Sequence, residues 1–333
     1  MSAEKIISDW KKKLYKPLYW LEGEENYYID LVMNYAEHYI LPESEAGFNL
    51  SVFYGKDAAW SDVVNACMRY PMFAEKQVVL LKEAQQMKDL EKLENYIEHP
   101  LGSTIFVVSY KEKTLDKRTK LYKTIKKDGE VFTSEKIREY KLIEWVTDYL
   151  KSQEFTMTPR AIGLLTEHLG NDLNRIVNEL EKLTLNLGQR KSINEDDIEK
   201  FVGISKEYNA FELQDAMSKK DLAKAIKIIQ YFEGNPKAAP IQLVLPTLYG
   251  YFSKLYAIFG MADKSEAGIK HLFYNNSFAA KDALAAAKKY SYEGVERVLL
   301  LLHEYNLKSV GVNSSGATSD ASLMKELVVK MMG

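Results

Sequence analysis

Leu18-Tyr19-Trp20-Leu21 is a short apolar run closed by Gly23, and beyond it Tyr28, Leu31, Val32, Tyr35, Ala36 and Tyr39 recur at helical spacing. That predicts a strand followed by a helix. Phe48 to Tyr54, bounded by Gly47 and Gly55, predicts a second strand, and Trp60, Val63, Val64, Cys67 and Met68 line one face of the helix after it. Gln77 to Leu81 predicts a third strand, with a polar helix around Leu90 to Glu98 behind it. Thr104 to Val108 is a fourth, almost wholly apolar strand of the kind buried on both faces, and a basic helix from about Leu115 to Lys127 leads to a fifth strand at Val131 to Thr133. Strand, helix, strand, helix implies a parallel sheet with right-handed crossovers.

Beyond about residue 140 the strand signals stop. A helix burying Leu142, Trp145, Val146, Tyr149 and Leu150 comes first, and Thr158-Pro159 then opens another that Gly170 ends. Leu173, Ile176, Val177, Leu180, Leu183, Thr184 and Leu187 form the stripe of a third, stopped by Gly188, and Asn194-Glu195-Asp196-Asp197 caps a short fourth. From Asn209 to the end the pattern is helical, with long apolar stretches at Ile241 to Met261 and Tyr292 to Leu307. A Ser/Gly-rich loop at Ser309 to Ser322 precedes a last helix at Leu323 to Met332. The expected fold is therefore an α/β domain over 1–140, a small helical bundle over 141–205 and an all-α domain over 206–333.

The length of 333 residues suits about two domains, or three small ones. With 45 Lys and Arg against 47 Asp and Glu, the net charge of −2 does not mark the whole chain as a nucleic-acid binder. Cys67 is the single cysteine, which excludes an internal disulfide and any multi-cysteine metal site. The lysines before Pro17 have no apolar core behind them, so no signal peptide is predicted, and the longest uncharged run, Ala238 to Ser253, is broken by Pro240, Pro246 and Gly250. The expected setting is the cytoplasm, away from membranes.

A parallel sheet whose first strand ends in glycine invites a search for a phosphate loop. Gly23-Glu24-Glu25-Asn26-Tyr27-Tyr28 lacks the second glycine, the lysine and the hydroxyl that such a loop requires, and its two glutamates repel a polyphosphate. Ser109 and Tyr110 follow the fourth strand where an ATPase places its carboxylates. The histidines at 38, 99, 168, 271 and 303 show no catalytic or metal spacing. Neither catalysis, a cofactor nor a metal is expected.

Two features remain open on pattern alone. Eight basic residues lie between Lys111 and Lys127; Lys117, Arg118, Lys120, Lys123, Lys126 and Lys127 are either a solvated helix face or a phosphate-facing surface. Pro71-Met72-Phe73-Ala74 sets two large apolar side chains in a connection, either tucked under the sheet edge or presented to a partner's pocket.

Three segments carry a resemblance across nearly the whole chain: Arg69 to Leu81 (RYPMFAEKQVVLL), Gly170 to Leu183 (GNDLNRIVNELEKL) and Leu323 to Val328 (LMKELV). Together with the missing phosphate loop they resemble the delta-subunit family of bacterial DNA polymerase III clamp loaders. The resemblance implies an AAA+-like module without ATPase activity that binds the sliding clamp (beta) and helps open it for loading onto primed DNA during replication. Met72 and Phe73 become the hydrophobic wedge; Met72 stands where the family more often has Leu, a volume-conserving change. Arg69-Tyr70-Pro71 occupy the place of the family's glutamine. Residues 206–333 become a collar packing against the ATPase subunits (gamma/tau) and delta prime, with DNA met through the assembly. The alternative is a degenerate AAA+ scaffold or DNA-binding adaptor using the basic 111–127 segment.

Overall fold

Ala3, Ile6, Ile7 and Trp10 recur at helical spacing behind Ser2, whose hydroxyl accepts the Lys5 N–H, and they form helix α1 (Ala3–Lys11), an element hidden from the apolar pattern among its lysines. The computed structural model describes residues 2–236, 239–273, 276–312 and 319–333. They fall into two units: one runs to Arg138 and includes Asp172–Asn174, and the other holds Glu139–Asn171 and Arg175 onward.

In the first unit, strand β1 (Leu18–Gly23) leads into α2 (Asn26–Tyr39). The predicted strand from Phe48 is shorter than its pattern: helix α3 (Glu43–Asn49) occupies its start and β2 (Leu50–Tyr54) follows, so Phe48 is an exposed helical residue. Pro42 precedes α3, and Glu43 and Glu45 in its first turn suit the helix dipole, which the apolar pattern does not record. Next come α4 (Trp60–Cys67) and β3 (Gln77–Lys82). The predicted polar helix at 90–98 is a 3-10 turn at Leu90–Leu93 running into one turn of α-helix, α5 (Glu94–Ile97). Strand β4 (Thr104–Lys111) follows. The basic helix starts later than its pattern, as α6 (Lys120–Asp128), because the Thr119 hydroxyl caps the Tyr122 N–H there, and β5 (Glu130–Ser134) closes the unit's sheet.

All five strands are parallel, in the order β2-β3-β4-β1-β5. Alternation then divides each strand between two cores. Tyr19, Leu21, Val78, Leu80, Ile105, Val107 and Phe132 meet α1 and α2 on one face, while Leu18, Trp20, Val79, Leu81, Phe106 and Val108 meet α4, α5 and α6 on the other. This is why the strands read as unbroken apolar runs. Trp20 and Phe106 are wholly buried, and each such side chain contributes about 1.5–3 kcal/mol relative to exposure.

The second unit is almost entirely helical. Helix α7 (Glu139–Ser152) buries Leu142, Val146 and Leu150. A two-residue parallel pair, β6 (Thr156–Met157) with β7 (Ser192–Ile193), joins the segments flanking α8 (Pro159–Leu169) and α9 (Leu173–Asn186), a bridge too short for a periodicity signal. Thr158 caps α8, Gly170 ends it at φ +67°, and Asn194 with Asp197 forms a reciprocal capping box on α10 (Glu195–Asp197). Five further helices follow: α11 (Ala210–Ser218), α12 (Leu222–Gly234), α13 (Ile241–Gly260), α14 (Glu266–Ile269) and α15 (Ser277–Ser309). With α16 (Asp320–Met332) they share one core around Leu213, Phe232, Leu248, Phe252, Leu302 and Leu327. Pro246 lies inside α13, which continues through it with one backbone hydrogen bond fewer. Ser291, at φ 58° and ψ 173°, breaks α15, and its hydroxyl accepts the Gly294 N–H to start the helix again. Of the predicted loop at 309–322, residues 313–318 lie outside the described residues. Among the described residues no helix is long and apolar enough to cross a membrane.

Gly23 ends β1 at φ +123°, and a Cβ there would stand 2.0 Å from the Ser134 carbonyl oxygen. Gly23→Ala is therefore expected to cost about 2 kcal/mol or more. The measurement is urea unfolding followed by tryptophan fluorescence, since Trp10, Trp20 and Trp60 report from the first unit; an unchanged midpoint contradicts it.

Candidate functional site

Two places in the first unit merit attention, at opposite ends of its sheet. At the carboxyl end, where parallel α/β sheets receive ligands, the turn after β1 is closed by its own chain. The Gly23 N–H donates to the Lys113 carbonyl at 3.0 Å and the Glu24 N–H to the Ser134 carbonyl at 3.1 Å. Glu25 is buried, and its carboxylate accepts the Tyr27 N–H at 3.3 Å, capping α2. Glu22 is buried beside it, accepting from the Leu115 N–H at 2.9 Å and the Thr133 hydroxyl at 3.2 Å. Burial pushes both carboxyls above their ordinary range, against the hydrogen bonds they accept. A turn with two amides committed to carbonyls and two buried carboxyl groups offers little to a phosphate, which needs open N–H groups at a helix start.

At the amino end, the loop between α4 and β3 carries the Met72–Phe73 pair. The pattern left these residues open; the structure exposes both. Met72 is 53% and Phe73 96% exposed, and Met68 and Tyr70 beside them are exposed as well. Phe73 sits at φ 54°, a left-handed conformation uncommon for a bulky side chain, which needs the surroundings to hold it.

Two buried amides supply that hold. Asn49, the last residue of α3, accepts the Met72 N–H on Oδ1 at 2.6 Å and donates from Nδ2 to the Met72 carbonyl at 2.9 Å and to the Glu45 carbonyl at 3.1 Å. Gln77, the first residue of β3, points its Nε2 at the carbonyls that end α4: Arg69 at 2.5 Å, Ala66 at 3.2 Å and Cys67 at 3.3 Å. The same nitrogen reaches the Thr104 hydroxyl at 2.7 Å, which itself donates to the Cys67 carbonyl at 2.8 Å. Neither amide's role is evident from the sequence: Asn49 falls inside the run from Phe48 to Tyr54 that reads as a strand, and a Gln at a strand's start reads as solvent-facing. Cys67 is buried in the core, and burial raises its thiol pKa, as its place on the apolar stripe of its helix suggests.

The basic residues share one region but are not a bare positive face. Lys117 and Arg118 precede α6, and Lys120, Lys123, Lys126 and Lys127 lie on it, all exposed. Arg118 pairs with Asp116 at 2.7 Å, and Lys120 pairs with Glu94 at 3.2 Å and, more closely, with Glu98. Lys127 reaches Asp128 at 4.0 Å. Lys120, Lys123 and Lys127 line an open depression together with Glu98, His99 and Asp128, so both signs of charge meet there. Among the described residues no three His, Cys, Asp or Glu side chains are grouped to hold a metal ion.

A carboxyl pKa raised by folding contributes stability below its unfolded value, and this is lost as pH rises through the folded value. Glu25→Gln keeps an acceptor for the Tyr27 N–H without the buried charge. Its melting temperature, relative to wild type, is expected to be higher at about pH 7.5 than at about pH 5, because the glutamate cost begins above its ordinary range near pH 4. A difference independent of pH would show that the carboxyl ionises without penalty.

Against known proteins, the sequence model of the family described as DNA polymerase III, delta subunit matches residues 19–135. The DNA polymerase III subunit delta of Bacillus subtilis (strain 168) is 24% identical over 314 residues, 90% of each chain. A probable DNA polymerase III subunit delta of Aquifex aeolicus (strain VF5) is 23% identical over 302 residues, 85% of this chain and 83% of that one. Among solved structures, the Bacillus subtilis DNA clamp loader delta protein superposes with a TM-score of 0.60 at 21% identity, covering 99% of both chains, so the fold is shared end to end. Over residues 19–135 the chain is similar to the DNA polymerase III delta-subunit family, and it is similar to individual delta subunits over most of its length.

Proposed function

We propose that this chain is the clamp-binding subunit of a clamp loader, and that Met72 and Phe73 are its wedge into a hydrophobic pocket on the sliding clamp. The carrying observation is the exposure of Phe73, 96% on a loop tied to the sheet by two buried amides. An aromatic ring held out in water gains free energy only when a partner covers it. Burying Met72 and Phe73 together supplies roughly 3–6 kcal/mol before the costs of association. Clamp opening then follows as a population shift, because a subunit that binds the opened ring more tightly than the closed one stabilises the opening. In this reading the chain hydrolyses no nucleotide itself, consistent with the carboxylates in the turn after β1, and energy comes from ATPase subunits alongside it. Residues 141–205 act as a lid-like bundle, and residues 206–333 form the collar toward those subunits and delta prime.

The acidic partners of Arg118 and Lys120 weigh against the second reading, a DNA adaptor acting through Lys117, Arg118, Lys120, Lys123, Lys126 and Lys127. That reading predicts DNA binding by the isolated chain that falls steeply with salt.

The test is binding of the purified chain to the sliding clamp of its own organism, comparing wild type with Met72→Ala plus Phe73→Ala. The double substitution is expected to cost at least about 2 kcal/mol, near thirtyfold in affinity, with the melting temperature unchanged because both side chains are exposed. Equal affinity of the two proteins moves the interface elsewhere, and no binding by wild type sinks the clamp-loader role.

A further inference from the structure

We propose that Asn49 is the positioning residue of the Met72–Phe73 loop, fixing the backbone conformation in which Phe73 is presented; this rests on the clamp-binding reading above. Among the described residues, the backbone of 70–76 makes no backbone–backbone hydrogen bond, so the loop has no ladder or helix to define it. Its one internal backbone anchor is the Asn49 amide, which takes the Met72 N–H at 2.6 Å and gives to the Met72 carbonyl at 2.9 Å, as a neighbouring strand would. Asn49 is itself 3% exposed and held by the Glu45 carbonyl at 3.1 Å, so the anchor does not move with the loop.

The consequence falls on the next residue. Met72 pinned on both sides leaves Phe73 to turn the chain at φ 54°, a conformation that a free loop seldom samples with a phenyl side chain. Without the pin, the loop retains its apolar side chains but must find this turn at the moment of binding, and affinity falls by the fraction of time spent outside it. Asn49 thus touches no partner and acts through Phe73.

Clamp affinity and amide hydrogen exchange of the full chain test this, with Asn49→Ala as the main variant. Wild-type binding that weakens on Met72→Ala plus Phe73→Ala establishes the loop as the contact; without it the clamp-binding reading fails and this inference with it. Given that control, Asn49→Ala is expected to bind the clamp at least about fivefold more weakly. Exchange of the Met72 amide should accelerate while the amides of β3 and β4 keep their protection. A smaller loss of affinity overturns the positioning role. So does a loss accompanied by faster exchange throughout the sheet, which makes Asn49 a residue of the fold. If the alanine variant does not fold, Asn49→Asp decides by the same readouts, since it keeps the acceptor for the Met72 N–H and sets an oxygen against the Met72 carbonyl.

Discussion

A polar side chain taken out of reach of water needs a partner inside the protein, and a parallel sheet covered on both faces leaves room for such side chains mainly toward the ends of its strands. Several buried polar side chains of the first unit obey this constraint. Glu22, Glu25 and Ser134 lie at or just past carboxyl ends of strands, Ser109 lies two residues inside the end of β4, and Asn49, Gln77 and Thr104 lie at amino ends. Four of them tie a connecting segment to the sheet: Glu22 holds Leu115, Ser109 holds the Glu83 N–H at 2.9 Å, Gln77 holds the end of α4, and Asn49 holds Met72. An unpaired group at any of these places costs about 1–3 kcal/mol, so the loops are as determined as the strands they leave.

The two ends of the sheet use this device toward different results. At the carboxyl end the satisfied groups are carboxylates and hydroxyls, and they close a turn which in other α/β proteins stays open for a ligand. At the amino end the satisfied groups are amides and a hydroxyl that hold backbone, and what they hold carries exposed apolar side chains. A turn is closed by its own chain at one end, and Met72 and Phe73 stand exposed at the other.

Much of this was legible in the sequence, and the limits follow from what periodicity can carry. The runs at 18–21, 77–81 and 104–108 read as strands because burial on both faces removes polar positions from them. Thr158, Gly170 and the Asn194 cap read correctly because caps act through the residues next to them. Helix α1 was obscured by five lysines around four apolar positions, and α3 by Gly47 and Phe48, which look like a strand's approach until Asn49 is seen to bond back to Glu45. The candidate site was half legible. Met72 and Phe73 stood out as apolar residues in a connection, but whether such residues tuck in or face out depends on Asn49 and Gln77, 23 positions before Met72 and 8 positions after Arg69. A pattern of local spacing does not contain a contact at that separation.

The separation also bears on how a wedge can transmit force. A side chain on a free loop transfers a pull only after the slack is taken up, whereas Met72 is joined through the Asn49 amide to α3 and the start of β2. At the loop's other root, Gln77 joins the Arg69 carbonyl to β3, and through Thr104 to β4. The strands concerned, β2, β3 and β4, are adjacent in the sheet. A load on Phe73 therefore spreads over three neighbouring strands whose side chains are packed on both faces, and a close-packed core of that kind moves as a block rather than deforming locally. Under the proposed clamp-binding function, in which the subunit would hold an opened ring, the stiffness of this anchorage matters as much as the apolar area of Met72 and Phe73.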